Sequence, residues 1–376
     1  MKDARSLLVL LRSGTPAGLL RTLLENSDDA EAALQSGPLA WNEASLGAGF
    51  RAALQRPDEC RLEADLRWLE QPDHHLIGWH SPDYPALLRT SVHPPAALFV
   101  VGDPDLLWHP QVAVVGSRRP TAGGRDNAQQ FARAFGHAGL AVTSGLAAGI
   151  DTAAHQGAME TSRTIAVLGT GPDICYPSSN THLMEAIAAT GAIVTEHPPG
   201  TQGLRQHFPS RNRLIAGLSL ATVVIEAAVR SGALITARMA TDAGREVLAL
   251  PGSIHNPMAR GCHRLIRQGV GLAETPDEVI EALAPLAGNL SEALRQRLRP
   301  AGPDILATGL SGRDRLAGAD APQQQLLWQS LGHDPVNLDQ LSQRTGLTVG
   351  PLSAMLLAME LDGKISAEHG RYSRRS

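Results

Sequence analysis

The stretch VVGSRRPTAGG, positions 114 to 124, carries the first group of residues that could do chemistry. A run of valines ends in Gly116, and Ser117, Arg118 and Arg119 follow at once. Glycine permits a tight turn and close anion approach, serine offers a hydroxyl, and the amides of a turn entering a helix add partial positive charge. Arg118 adds a planar fork that suits a pair of phosphate oxygens. A second loop, SGLAAGID at 144–151, repeats the arrangement with Ser144, Gly145 and Gly149 ahead of Asp151. Asp151 either touches a ligand or caps the helix that begins there, and spacing alone favours the cap. In HFPSRNRLIAGLS, 207–219, Arg211 and Arg213 flank Asn212, with Arg205 a little upstream. Phe208 is the only aromatic residue between Tyr176 and Trp328. Basic side chains beside one ring supply phosphate clamps and a stacking face, the ingredients of single-strand binding. The bland alternative is a solvated charge cluster. Ser231 and Gly232 open a helix-like stretch in IEAAVRSGALITAR and offer one more anion-facing turn.

Several other chemistries are excluded. A dinucleotide site wants GxGxxG after the first strand, yet the loop reads GSRRPT and no GxxxxGK[ST] occurs anywhere. The turn GTGPD at 169–173 is a further candidate ligand edge, although Gly-Pro-Asp is ordinary turn chemistry. Fourteen histidines include no HExxH. Cys60, Cys175 and Cys262 lie far apart with no CxxC pairing, which fits a reducing cytoplasm and argues against a disulfide framework or thiolate metal site. No metal and no cofactor is expected. Glu226 could be offered as a catalytic carboxylate, but a strand-end glutamate holding an arginine or a loop is the simpler account. No paired acids or nucleophile–base set stands elsewhere.

The elements that must position these loops follow from hydrophobic pattern. Apolar runs occur at 112–115, 140–143, 164–168, 192–196, 220–226 and 246–250, separated by helix-like stretches such as 125–137, 152–159 and 181–189. Continuous apolar runs mark strands covered on both faces, and strand–helix alternation argues a parallel sheet. The expected fold is α/β: an extended Rossmann-like doubly wound parallel sheet over 76–284, with ligands beyond the carboxyl ends of its strands. Residues 1–75 read as a small helical domain of the SAM-like or helix-hairpin kind. Residues 285–321 have linker composition, and 322–376 have the outline of a winged helix. No apolar run is long enough for a membrane span, and MKDARSLLVLLRSGTP does not read as a signal peptide. Net charge is −4, so an anionic ligand depends on a local basic cleft rather than on global charge. Lysine occurs only at Lys2 and Lys364, which leaves that role to arginine.

The ordered set GSR, SGLAAGID, FPSRNRLIAGLS, EAAVRSGALITAR, GREVLALPG and GCHRLIRQG resembles the DNA processing protein A family, DprA or Smf, densely over about 100 to 275. The lead-in SPDYPALLRTSVHPPAALFVVGD at 81–103 and the small C-terminal domain are similar to that family as well. The resemblance implies a non-enzymatic cytoplasmic protein that binds single-stranded DNA, dimerises through its Rossmann-like domain and helps load RecA recombinase in natural transformation. It points to Arg118, the SGLAAGID loop, and Arg211, Asn212 and Arg213 as DNA contacts. The pattern departs at YPSSN, where Ser178 and Ser179 stand where some relatives have a lysine, so a basic contact there is absent or comes from another group such as Arg205. Apolar patches around Leu214–Leu220 or the later helices are candidates for the dimer contact. From Leu347 to Gly363 the chain has no Lys or Arg, so the winged helix is expected to contact protein or regulate, with Lys364, Arg371, Arg374 and Arg375 left for DNA backbone. The competing reading is a nucleotide-processing enzyme of the phosphoribohydrolase type. It wants a PGGxGTxxE loop, where this chain has EAAVRSGALITA and a PGS at 251–253 without the continuation.

Overall fold

A computed structural model describes residues 2–40 and 48–298, and, in the C-terminal region, positions 327–328, 331, 336–345, 352, 356, 359, 365–368 and 371–374. The chain divides into two compact units, Met1–Arg299 and Pro300–Ser376.

The first unit begins with five helices: α1 (Lys2–Arg12), α2 (Ala17–Glu25), α3 (Ala30–Ala40), α4 (Ala48–Gln55) and α5 (Glu59–Leu69). Leu20, Leu23 and Leu24 of α2 are buried at helical spacing against Leu7 and Leu10 of α1. Each helix is too short to stand alone, so this shared apolar seam holds the set together.

A nine-stranded sheet follows, in the order β1-β2-β6-β5-β4-β3-β7-β8-β9. Its central strands are β3 (Gln111–Gly116), β4 (Ala141–Ser144), β5 (Thr164–Val167), β6 (Ala192–Thr195), β7 (Ala221–Ile225) and β8 (Glu246–Ala249), all at the apolar runs that predicted them. They pair in parallel, and β9 (Gly271–Leu272) extends that series. The pattern left out β1 (His74–Gly78) and β2 (Ala97–Gly102), which pair antiparallel and lay β2 antiparallel against β6. The second of these strands ends the SPDYPALLRTSVHPPAALFVVGD stretch and the first lies just before it, where prolines and short runs give no clear period.

Both faces of the sheet are covered. Val112 and Val114 of β3 point into a core with Phe131 and Phe135 of α7 (Ala122–His137) and with α8 (Ile150–Met159). Ala113 and Val115 point the other way, to Leu214 and Ile215 of α10 (His207–Leu218) and Ala233 and Ala237 of α11 (Gly232–Asp242). This two-sided burial is why the strands read as unbroken apolar runs. The helices α9 (Thr181–Thr190) and α12 (Arg260–Arg267) complete the layers, and α13 (Pro276–Leu298) packs Val279 and Leu283 on the α7 side. The helix α13 runs through Pro285, so residues 285–298, which have linker composition, are helical; the remainder of 285–321 lies outside the described residues.

The second unit has a three-stranded antiparallel sheet of β10 (Val336–Asn337), β11 (Ile365–Glu368) and β12 (Arg371–Arg374), in the order β10-β12-β11, with helix α14 (Leu338–Thr345). Leu327, Leu341, Leu352, Leu356, Met359 and Ile365 form its core. Most of 347–363, on which the absence of basic residues bears, lies outside the described residues.

Candidate nucleic-acid interface

The strand order reverses at β3: the chain runs outward from β3 through β4, β5 and β6, then returns to place β7 on the other side. The loops after β3 and β7 therefore diverge to opposite faces and leave a crevice at the carboxyl ends, the usual ligand position in such sheets. A cleft of about 350 Å³ occupies it, bordered by Gly116, Ser117, Arg118, Asp151, Arg211, Asn212, Ser231 and Gly232. A smaller pocket of about 120 Å³ adjoins it, bordered by Arg118, Gly145, Tyr176, Phe208 and Arg211. Arg118 and Arg211 stand on the walls of both.

The backbone of the loops is locked. Gly116 faces the Ile225 carbonyl of β7 so closely that a Cβ would lie 2.0 Å from that oxygen, so its glycine serves strand packing as well as the turn. Gly149 has φ +92, and a Cβ there would meet the Ser117 carbonyl at 2.4 Å. The Ile150 amide donates to the same carbonyl at 3.1 Å, so the two glycine loops are bonded to each other. Glu226, at φ +51 just past β7, accepts from the Thr121 amide (2.8 Å), the Thr121 hydroxyl (2.6 Å) and the Asn256 amide group (2.9 Å). It holds loops, not a substrate and not an arginine.

The expected site residues separate into two groups. Arg118, Arg119 and Arg205 are exposed, Asn212 is half-buried, and Gly232 is exposed as the first residue of α11. Arg118 lies over the Phe208 ring at 5.9 Å, and Tyr176, half-exposed, packs against Phe208 at 4.9 Å. Tyr176 was missed as a site residue; its only signal is an isolated aromatic in the YPSSN loop. Two rings, Tyr176 and Phe208, are thus brought together at this edge.

The other residues are turned inward. Ser144 is fully buried and donates to the Val114 carbonyl at 2.6 Å. The Ser117 hydroxyl contacts the Met258 sulfur at 3.4 Å and accepts the Arg119 amide at 3.1 Å. Ser231 caps α11 by accepting from the Ala233 amide. Asp151 does not cap α8, whose cap position is Gly149; it accepts from the amides of Gly145 (3.1 Å) and Ala147 (3.4 Å), reaching back to brace its own loop. Burial raises its carboxyl pKa, opposed by the Arg211 charge and these amides. Arg211 is 5 % exposed and donates to the Gly145 carbonyl at 2.6 Å and to the Val167 carbonyl, and burial pulls its guanidinium down to about 10. Arg213 is ion-paired to Glu196 and donates to the His93 carbonyl at 2.6 Å. Arg213 is therefore not a free phosphate clamp of the kind the FPSRNR spacing suggests, and Arg211 commits its Nη1 to the loop while its Nε has no partner among the described residues. Ser178 and Ser179 are exposed in a short turn before α9.

Among the described residues no cluster of His, Cys, Asp or Glu could hold a metal, and no helix is long and apolar enough to cross a membrane. The cleft offers two guanidiniums, a helix N-terminus and an adjacent ring pair, with the nearby carboxylates turned away into loops. That arrangement is chemically suited to anions and flat groups, and among the described residues no nucleophile–base pair borders it.

Comparison with known proteins agrees. Residues 75–284 match the family model of DNA recombination-mediator protein A, and 312–371 match the DprA winged helix domain. The chain is 39% identical to Protein Smf of Escherichia coli over 83% of this chain and 80% of that protein. It is 35% identical to Protein Smf of Synechocystis over 95% of each. The X-ray structure of DNA processing protein A from Streptococcus pneumoniae superposes with a TM-score of 0.65 at 35% identity, covering 73% of this chain and 95% of that one. The Helicobacter pylori DNA processing protein A, solved for its single-stranded DNA binding mode, gives 0.51 at 28% identity over 54% of this chain and 93% of that one. With a doubly wound sheet, the matched central domain and a C-terminal winged helix, the chain belongs to the DprA/Smf family of DNA recombination mediators.

Proposed function

We propose that this chain binds single-stranded DNA across the carboxyl edge of its sheet and acts, without enzymatic chemistry, as a mediator that helps load RecA onto incoming DNA in natural transformation. The observation that carries the reading is the Arg118–Phe208–Tyr176 array beside the switch-point cleft. A base stacks on the exposed aromatic face, and its phosphate meets the Arg118 fork; Arg119, Arg205, Asn212 and the Ser231–Gly232 turn lie along the path. The buried Asp151 and Ser144, the half-buried Arg213 and the Nη1 of the buried Arg211 hold the loops in shape. The inward-turned Glu226 and Asp151 speak against the phosphoribohydrolase reading, which needs a carboxylate facing the substrate.

The protein works in the cytoplasm as a homodimer in this reading. Leu214–Leu220 is buried in the core and is withdrawn as a dimer patch. Val229 and Ile235 are 45 % and 41 % exposed along the groove between α11 and α12, the apolar surface of the later helices suited to a second copy. The winged-helix unit serves a protein contact.

Equilibrium binding of fluorescent oligothymidine and of a matched duplex, across a salt series, tests the central claim. Tight, salt-sensitive and strand-selective binding is expected. Indifference to oligothymidine, or equal affinity for duplex, would sink it, and cleavage of nucleoside monophosphates would then be assayed.

A further inference from the structure

The switch-point cleft sets two guanidiniums and the start of a helix against a single buried carboxylate, Asp151. Arg211 is almost wholly buried on its wall, its Nη1 is spent on two carbonyls, and its Nε has no partner among the described residues. No carboxylate among the described residues lies within ion-pair distance of Arg211 or of Arg118 beside it. Asp151, the nearest acid on the wall, turns its Oδ2 into the Gly145 and Ala147 amides. Asp151 acts on both guanidiniums through space but bonds to neither, so two cations and the start of α11 outweigh one buried carboxylate. The eleven-residue helix α11 opens onto the same cleft through Ser231, Gly232 and Ala233, adding the partial positive charge of its first turn. Val115, Ile215 and Ala228 provide apolar walls, and about 350 Å³ is within the range of small-ligand sites.

A diester phosphate in a strand carries one negative charge, whereas a monoester carries close to two at neutral pH. We propose that the cleft binds a nucleoside phosphomonoester, with the phosphate held between Arg118, Arg211 and the start of α11. Free mononucleotide and the phosphorylated end of a strand present this same group. A free nucleotide would then compete with a strand for Arg118. The strand-end form rests on the single-strand reading above; the free-nucleotide form does not.

Two measurements test it on the full chain. Calorimetric titration compares thymidine monophosphate with thymidine. Anisotropy compares internally labelled oligothymidine with hydroxyl ends, with a 5′-phosphate and with a 3′-phosphate. The nucleotide is expected to bind where the nucleoside does not, or one phosphorylated end to bind about tenfold more tightly than the hydroxyl-ended strand. The first result assigns the free nucleotide and the second the strand end. Gly232→Asp places a carboxylate at the mouth of the cleft, where a Cβ meets nothing within 4 Å and an acidic first turn suits the helix. Both preferences should fall to parity in that variant. Absence of both preferences in the wild type, or their survival in Gly232→Asp, overturns the proposal. A hydroxyl-ended strand that fails to bind at all overturns the single-strand reading instead.

Discussion

Replacing Arg118 with alanine separates the two contributions that the Arg118–Phe208 array makes. The Arg118 side chain is exposed, makes no hydrogen bond or ion pair among the described residues and lies over the Phe208 face, so its removal should leave folding stability within about 0.5 kcal/mol. A charge-assisted bond to phosphate contributes about 1.5–3 kcal/mol, which corresponds to a loss of about 10- to 150-fold in affinity at low salt. One phosphate contact on a single strand also carries a salt slope of about 0.7 in log–log terms. The wild-type advantage should therefore shrink by a further factor of about 2.6 between 50 and 200 mM salt. Phe208→Leu should behave differently: a stacking loss of about 1–3 kcal/mol with the salt slope unchanged. Anisotropy titrations of oligothymidine at four salt concentrations, with thermal melts of each variant, provide the comparison. If Arg118→Ala leaves the slope at the wild-type value, this side chain does not hold phosphate and the assignment of the loop is wrong. A drop in melting temperature alongside the affinity loss would mean that Arg118 is structural.

Further expectations concern the residues turned inward. Arg213→Ala should cost about 2–4 kcal/mol in denaturant unfolding, because it strands the shielded Glu196 carboxylate; its salt slope for oligothymidine should match wild type. Glu226→Gln presents a donor to the Thr121 amide and should lower stability by about 1–3 kcal/mol, measured the same way. Ile235→Glu should shift sedimentation from dimer to monomer while the circular dichroism spectrum stays unchanged. Acid should destabilise the fold through two histidines. Burial lowers His155 to about 3, and burial with the stacked His207 and then Arg213 lowers His197 to about 4. Both are neutral when folded and charge near pH 6.5 when unfolded, so the unfolded state binds more protons between about pH 4 and 6.5. Stability is then full above pH 6.5 and falls on acidification, by up to about 2.7 kcal/mol per pH unit for two protons. Denaturant midpoints at pH 7 and pH 5 check it, and His197→Asn should remove about half of the difference.

The six central strands were legible because each is buried on both faces, and nothing but an unbroken apolar run satisfies that environment. Their parallel pairing and the placement of the loops at the carboxyl ends followed from strand–helix alternation, while the strand order did not. The antiparallel pair β1 and β2 was not legible, since its HHLIG and ALFVVG segments sit among prolines and lack a clean alternation. At the site, residue types were readable but side-chain direction was not. Arg211 and Arg213 differ by two positions on one helix, about 200° apart, so they cannot both face the cleft and their neighbours decide which charge is consumed. Ser144 ends a parallel strand, where its hydroxyl competes for a carbonyl of the next strand. Phe208 gained its partner from a loop some thirty residues earlier, a contact that no local period encodes.

What distinguishes a binding edge from a catalytic one here is where the carboxylates point. Asp151 lies on the wall of the crevice, and Glu226 follows directly after β7, whose loop borders it. Each is spent on backbone amides of its own neighbourhood: Asp151 on Gly145 and Ala147, Glu226 on Thr121. Turning either outward would release those amides and slacken the loop that holds Arg118, so the same glutamate could not both attack chemistry and keep the guanidinium in place. The bonds that fix the loops therefore consume the groups a hydrolase would need. What remains facing solvent is a fork, a ring pair and a helix start, and these are the groups on which the proposed recognition of a phosphate and a base rests.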